Sequence, residues 1–409
     1  MAGFYKFLAT VSRVERHVVS KTHPLYDLID DYSFRSKNLY NYANYIIRQQ
    51  FFKDGTILSE YTVSKMCKPA DCYKDLMAQM SQQVIKSLSK NWKSYKEAAK
   101  DYEKSPDKYT GKPRIPGYKD KTDGRNTIFF TNQACKLKDG SIQFPKIFNQ
   151  FRLKTNVSSH LQQVRIVPRA DHYIIEVVYR TIAQTQKEDN GRYMSLDIGL
   201  DNFATIVNNY GSSPVIVNGK GLKSMNKFYN KGRTHYQEVA QRMNGRKSTK
   251  RLRRLSNKRN RKIDDYIHKA SRYVIDLAVN YNVSVVVIGN NKDWKRECPL
   301  SKVVNQSFVG IPHQRFISMI QYKAEEKGIT VILTEESYTS GTSFLDHESP
   351  SKEYYNKSRR IKRGLFKSNS GRLINSDVNG AYQIMKKVFP KTFVEGIEDM
   401  GLYPIRVAI

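Results

Sequence analysis

The sequence contains no long hydrophobic run: its apolar stretches reach only about seven residues, where a membrane-spanning helix needs roughly 20. The opening segment MAGFYKFLATVSRVERH has no apolar core of signal-peptide length, so a soluble, intracellular protein is expected. Cysteine is scarce. Cys67, Cys72, Cys135 and Cys298 are too few and too scattered for a disulfide framework, and Cys67-x4-Cys72 has no second pair to complete a zinc site. Acid is short relative to base: 38 Asp+Glu stand against 70 Lys+Arg, a net charge of +32. So large an excess repels itself unless a polyanion screens it, which makes nucleic acid the first partner to expect. The remainder is ordinary, with 39% hydrophobic residues, enough for a real core, and a length of 409 that allows two or three domains.

A further absence is local. VSVVVIG (283–289) is a β-branched run that reads as a strand buried on both faces, yet it ends in Gly289-Asn290-Asn291 with no carboxylate at its tip. Around it the chain alternates strand and helix. YMSLDIGL, FATIVNN and SPVIVNG read as strands, and a helical stretch covers about 222–281. VSVVVIG, a helix at 312–327, the strand ITVILTE and a final helix DVNGAYQIMKKVF complete the half. Three strands, a crossover, then strand-helix-strand-helix is the pattern of a ribonuclease H-type α/β sheet. The N-terminal part differs. After a strand at GFYKFLATV come helical stripes: Leu25, Leu28, Ile29 and Tyr32; Leu39, Tyr42, Ala43, Ile46 and Ile47; and Met77, Met80, Val84, Leu88, Trp92 and Tyr95. These Met and aromatic stripes read as helix packing. Segment 105–126, with its prolines and glycines, marks a boundary. TIFF, SIQF, QVRIV and YIIEVVY then give β texture, with a hairpin closing at Arg169-Ala170-Asp171-His172. A small β-barrel with the helices inserted into it is expected.

Two acids stand out. Asp197 follows an apolar strand and precedes Gly199; a carboxylate there is costly to bury unless it meets a metal or a donor, although turn capping or a salt bridge would also account for it. Asp377 falls in the first turn of the last helix, behind Asn375 or Ser376 as N-cap, where the helix dipole alone favours an acid. The small residues Asn379-Gly380-Ala381 suit close packing of that helix on a sheet, which would aim Asp377 at Asp197.

The segments LYNYANYIIRQQFF, SQQVIKSLSKNWKSYKEAAKDY, GKPRIPGYKDK, MSLDIGLDNFATIV, IGNNKDWK, TEESYTS, RIKRGLF and DVNGAYQIMKKVFP, in this order from about 38 to 390, together resemble TnpB, the transposon-encoded RNA-guided nucleases related to type V CRISPR effectors. The resemblance implies a RuvC-like nuclease domain over 186–409, a wedge β-barrel formed by 1–12 and 113–185, and a helical recognition domain over 13–112. It implies a guide RNA, a target double-stranded DNA, Mg2+ (two ions) as cofactor, no membrane and a cytoplasmic, nucleoid-associated location in a prokaryote; an association with a transposase is not readable from the sequence. The family's site uses three acids, and Asp197 and Asp377 match the first and third. Gly289 stands where the middle glutamate belongs. Glu335 and Glu336, at the tip of the neighbouring strand, are the candidate replacements, since parallel strands lie about 4.8 Å apart; strand alternation turns only one of them inward. Asp293 and Glu297 are weaker candidates. Without a third acid, a nuclease-inactive RNA-guided repressor is the alternative. Zinc-bearing members carry Cys-x-x-Cys pairs after the TS motif, whereas the insertion at about 339–374 has no cysteine, so no zinc is expected.

Basic residues gather in three places. Arg246, Lys247, Lys250, Arg251, Arg253, Arg254, Lys258, Arg259, Arg261 and Lys262 crowd one run with no acid before Asp264. Arg359, Arg360, Lys362 and Arg363 form a second group, and Lys112 and Arg114 a third, both with aromatic residues interleaved. All are candidate phosphate contacts, the aromatic neighbours adding base stacking.

Overall fold

The structure, a computed structural model, describes residues 10–158, 160–245, 248–290, 310–394 and 396–409. The chain divides into two compact units, Met1–Ile182 and Ala183–Ile409.

In the first unit, β1 (Thr10–Val19) pairs along its whole length with β7 (Tyr173–Ile182), β7 with β6 (Leu161–Pro168), and β6 with β2 (Ile128–Thr131). The β6–β7 hairpin closes where the sequence indicates, with Arg169 N–H donating to the His172 carbonyl. β3 (Lys136–Lys138), β4 (Ser141–Gln143) and β5 (Arg152–Lys154) form a separate sheet. The expected barrel is not closed among the described residues: β1 and β2 are the two edges of an open four-stranded sheet. Strands of three and four residues are too short to carry the stagger that closure demands.

The two N-terminal stripes merge into one helix, α1 (Tyr26–Asp54), because no Gly or Pro interrupts it before Gly55, whose φ of 78° ends it. Tyr42 of the second stripe faces out. α2 (Glu60–Cys67) and α3 (Asp71–Lys74) are short. α4 (Ala78–Lys104) buries Met80, Val84, Leu88 and Trp92, and Trp92 Nε1 donates to Asn44 Oδ1 of α1 at 2.9 Å. The Pro- and Gly-rich segment is strapped along α1. Ser33, Lys37, Asn41 and Asn44, three or four residues apart on α1, donate to the carbonyls of Asn126, Lys121, Lys119 and Pro116.

The second unit is built on a six-stranded sheet. β8 (Tyr193–Ile198), β9 (Asn202–Asn208) and β10 (Val215–Asn218) run antiparallel in sequence, and β11 (Val285–Gly289) and β12 (Thr330–Thr334) extend the sheet parallel to β8. The connection from β10 to β11 is helical, but it breaks into α5 (Lys220–Asn244) and α6 (Lys250–Asn280). Gly245, with φ 61°, ends the first, and Thr249 caps the second by accepting from Leu252 N–H. α7 (His313–Glu325) precedes β12, and α8 (Ser376–Val388) follows a β13 (Leu365–Lys367)–β14 (Leu373–Asn375) hairpin. Val286 and Ile288 pack with α6 and α7 residues in one apolar cluster, while Val285 and Val287 pack with α8 residues in another. β11 is thus covered on both faces, as its unbroken β-branched run requires. A sixth strand, β15 (Ile405–Val407), lies parallel to β10 at the sheet edge. The sequence reading assigned no element there.

Candidate active site

Asp197 lies at the C-terminal end of β8, two residues beyond Ser195 on the same face. Ser195 Oγ donates to the Ala381 carbonyl of α8 at 2.6 Å, so the helix lies directly on this strand. Gly380 makes that approach feasible: a Cβ there would stand 2.8 Å from Asp197 Oδ2. Asp377 occupies the first turn of α8, whose start is fixed by Asn375, its Oδ1 accepting from the N–H groups of Asp377 and Val378. Asn202 Nδ2 donates to Asp377 Oδ2 at 2.6 Å, and Arg360 Nη2 lies 3.4 Å from Asp377 Oδ1.

Of the two candidate replacements, Glu335 and Glu336, one lies against Gly289. Gly289 pairs with Thr334 across β11 and β12, and Asn290 N–H bonds the Thr334 carbonyl at 2.8 Å. Two residues past Thr334, Glu336 folds back over Gly289. A Cβ at 289 would stand 2.5 Å from Glu336 Oε1 and 2.8 Å from its Cγ, so any residue but glycine would displace this glutamate. Glu335 is exposed, and the structure uses its carbonyl rather than its carboxylate, as acceptor from Lys387 Nζ at 2.9 Å. Asp293 and Glu297 lie outside the described residues.

The three acids share one electrostatic environment. Burial, then the charges of Glu336 and Asp377, raise the Asp197 carboxyl well above the usual carboxylate range, with Arg360 opposing. Burial pushes Glu336 up to about 7, with Lys387 opposing. Glu336 Oε1 is buried and, among the described residues, without a hydrogen-bond partner. Among the described residues no group of three or more His, Cys, Asp or Glu side chains is gathered closely enough to hold a metal ion, and Asp377 is engaged by Asn202 and Arg360. A cleft of about 780 Å3 opens beside Asp197 and Asp377, and its other walls carry Lys220, Lys223, Arg360, Arg363 and Arg406. Asp201 anchors two of these, pairing with Lys223 and Arg363.

The basic candidates divide. Lys250, Arg251, Arg253, Arg254, Lys258, Arg261 and Lys262 are exposed along α6, and Lys112, Arg114 and Lys362 are exposed as well. Arg246 and Lys247 lie outside the described residues. Arg259 is turned inward, donating to Asn226 Oδ1 and the Gly310 carbonyl, so it serves the fold instead of a free phosphate face. Arg359 is likewise internal. It pairs at 2.6 Å with the buried Glu348, which also accepts from Ser343 N–H and Asn369 Nδ2. This carboxylate organises the cysteine-free insertion, which Phe344 joins to α8 by stacking on Tyr382 at 4.3 Å. Asn202 and Arg406 went unflagged by the sequence reading, although Asn202 stands in the quoted DIGLDNFATIV.

The sequence profile of the OrfB_IS605 family, described as a probable transposase, matches residues 173–295, and that of the Cas12f1-like TNB domain matches 313–384. In overall fold the chain is similar to a chain of the "Cas12f1-sgRNA-target DNA complex", with a TM-score of 0.53, 15% identity, and 88% of this chain and 82% of that one covered. These matches define the class, a mixed α/β protein of the Cas12f and TnpB kind. "TnpB-like protein ORF457" of Acidianus two-tailed virus is 24% identical over 388 residues, covering 86% of this chain and 81% of the relative. The two family matches and this relative support a place for the chain in the TnpB family. No helix among the described residues is long and apolar enough to cross a membrane.

Proposed function

We propose that the chain is an RNA-guided DNA endonuclease of the TnpB kind, cutting DNA beside a short flanking motif in a RuvC-like, ribonuclease H-type site. The order of the six-stranded sheet supports this reading. So does the placement of Asp197 and Asp377 at a strand end and a helix start on one cleft. The observation that carries it is Glu336, whose carboxylate fills the side-chain space of Gly289. The acid missing from one strand is supplied by the next.

Asp197, Asp377 and Glu336 would hold Mg2+. The donor chemistry suits it: carboxylates are hard oxygen ligands, and Glu336 Oε1, buried without a partner among the described residues, and the raised Asp197 carboxyl both favour a nearby cation. When bound, the ions supply an activated water and a stabilised leaving oxygen. The chain's own residues do the rest. Lys220, Lys223, Arg360 and Arg363 line the cleft with positive charge that draws the phosphate backbone in and orients it. Arg360, held on Asp377 only at 3.4 Å, is placed to exchange that carboxylate for a phosphate oxygen as the strand enters. The exposed cations of α6 suit the guide–target duplex. The first unit, with Lys112 and Arg114, suits wedge and recognition roles around the flanking motif.

The test is cleavage of target DNA by the purified protein–RNA complex with Mg2+, comparing the intact chain with Asp197→Ala. The intact chain is expected to cut and Asp197→Ala only to bind. Binding without cutting by both would establish instead the repressor reading that Gly289 motivates.

A further inference from the structure

We propose that Asn202 and Arg406 are positioning residues for Asp377, so that the C-terminal strand β15 is part of the active site; this rests on the reading of Asp377 as a ligand of the divalent cation. Asn202 opens β9 and donates from Nδ2 to Asp377 Oδ2 at 2.6 Å, while its Oδ1 accepts from Arg406 Nη1 at 3.2 Å. An asparagine amide has one donating end and one accepting end. Flipped, it would set Oδ1 against the Asp377 carboxylate and Nδ2 against the guanidinium, two repulsive contacts in place of two bonds. Arg406 therefore dictates which end of Asn202 faces Asp377. Oδ2 is thereby tied to Asn202, while Oδ1 has the longer contact, to Arg360 Nη2 at 3.4 Å.

Arg406 reaches this position only because β15 docks on the sheet edge. Arg406 pairs with Ile216 of β10, Ile405 N–H donates to the Pro214 carbonyl at 2.8 Å, and Val407 and Ile409 pack against the apolar cluster beneath. The relay thus runs from a terminal strand through β9 to the first turn of α8. Outer residues of this kind orient a ligand, and their loss typically weakens metal binding roughly 10- to 100-fold.

The test titrates Mn2+ into the full-length chain with its bound RNA, reading free Mn2+ by electron paramagnetic resonance, with no cleavage assay involved. Asn202→Ala should weaken Mn2+ binding roughly 10-fold or more. Arg406→Ala should weaken it less, and Arg406→Gln, which keeps a donor, should recover part of the loss. Because both act through one relay, the double variant should bind no more weakly than Asn202→Ala alone. Arg406 is exposed, so its variants keep the fold, and melting measured alongside checks this. Wild-type binding by Arg406→Ala, or losses that multiply in the double variant, would overturn the relay. Asp377→Asn separates this from the underlying reading: undiminished Mn2+ binding in that variant, or none by the intact chain, would overturn the ligand assignment itself.

Discussion

Gly289→Ala probes the site through a single carbon. The new Cβ would stand 2.5 Å from Glu336 Oε1, 2.8 Å from Glu336 Cγ and 2.7 Å from Ile384 Cδ1. All three are side-chain atoms, so the backbone can stay while Glu336 is pushed from its seat. Overpacking of this kind costs about 1–3 kcal/mol, which for a unit of this size lowers the melting temperature by about 2–4 °C per kcal/mol. In a Glu336→Ala background two of the three contacts vanish. What remains is a flexible isoleucine tip, offset by the gain of about 0.5–1 kcal/mol from replacing glycine in a strand. Alanine at 289 should then be nearly neutral. The double-mutant cycle in thermal melting should show a coupling of about 1–2 kcal/mol between the two positions, whereas independent sites add within about 0.5 kcal/mol. Additivity would refute the claim that Glu336 occupies the space of residue 289. Exchanging the residues, Gly289→Glu with Glu336→Gly, should recover cutting lost in Glu336→Gly alone.

Other outcomes follow from the same structure. The pKa of Glu336, about 7 against an ordinary 4.5, means that its proton stabilises the fold fully below pH 4.5 and that this contribution is lost as pH rises through 7. Glu336→Gln without divalent cations should therefore flatten the melting-temperature profile across that window and melt higher than wild type above pH 7; parallel profiles would contradict this. Arg259→Ala should lower the melting temperature by removing the bonds to Asn226 and Gly310. Arg253→Ala and Arg254→Ala should instead leave melting unchanged and reduce the salt dependence of RNA binding, by about one phosphate contact each. Trp92→Phe deprives the buried Asn44 Oδ1 of its donor and should cost about 1–3 kcal/mol in denaturant unfolding.

The places of Asp197 and Asp377 in the fold were legible because each has a local signature: an acid ending an apolar strand, and an acid in a capped first helical turn beside a small-residue face. The choice between Glu335 and Glu336 was not. It depends on the backbone path beyond β12 and on room above Gly289, which only the assembled sheet supplies. Gly289 read as a missing acid, and in the structure it is also the space that admits one from the next strand. Arg259 lies seven residues after Leu252 and four before Ile263, both buried on α6, so helical spacing could have shown it turning inward; the density of the charge run hid it. The break at Gly245 was marked by Gly-Arg-Lys-Ser-Thr, a helix stop followed by a cap. β15 left little trace, since three residues on a sheet edge carry too short a pattern. The barrel expectation failed for a related reason: alternation identifies strands but not whether they are long enough to close.

The most direct measurement compares Glu335→Gln and Glu336→Gln in cleavage of target DNA by the RNA complex with Mg2+, with target binding measured in parallel. Loss of cutting by about 100-fold or more in Glu336→Gln, with binding intact and Glu335→Gln cutting as wild type, is the predicted result, in keeping with removal of charge stabilisation at the reacting phosphate. Undiminished cutting by Glu336→Gln would contradict the central claim that the acid absent at Gly289 is supplied from the neighbouring strand.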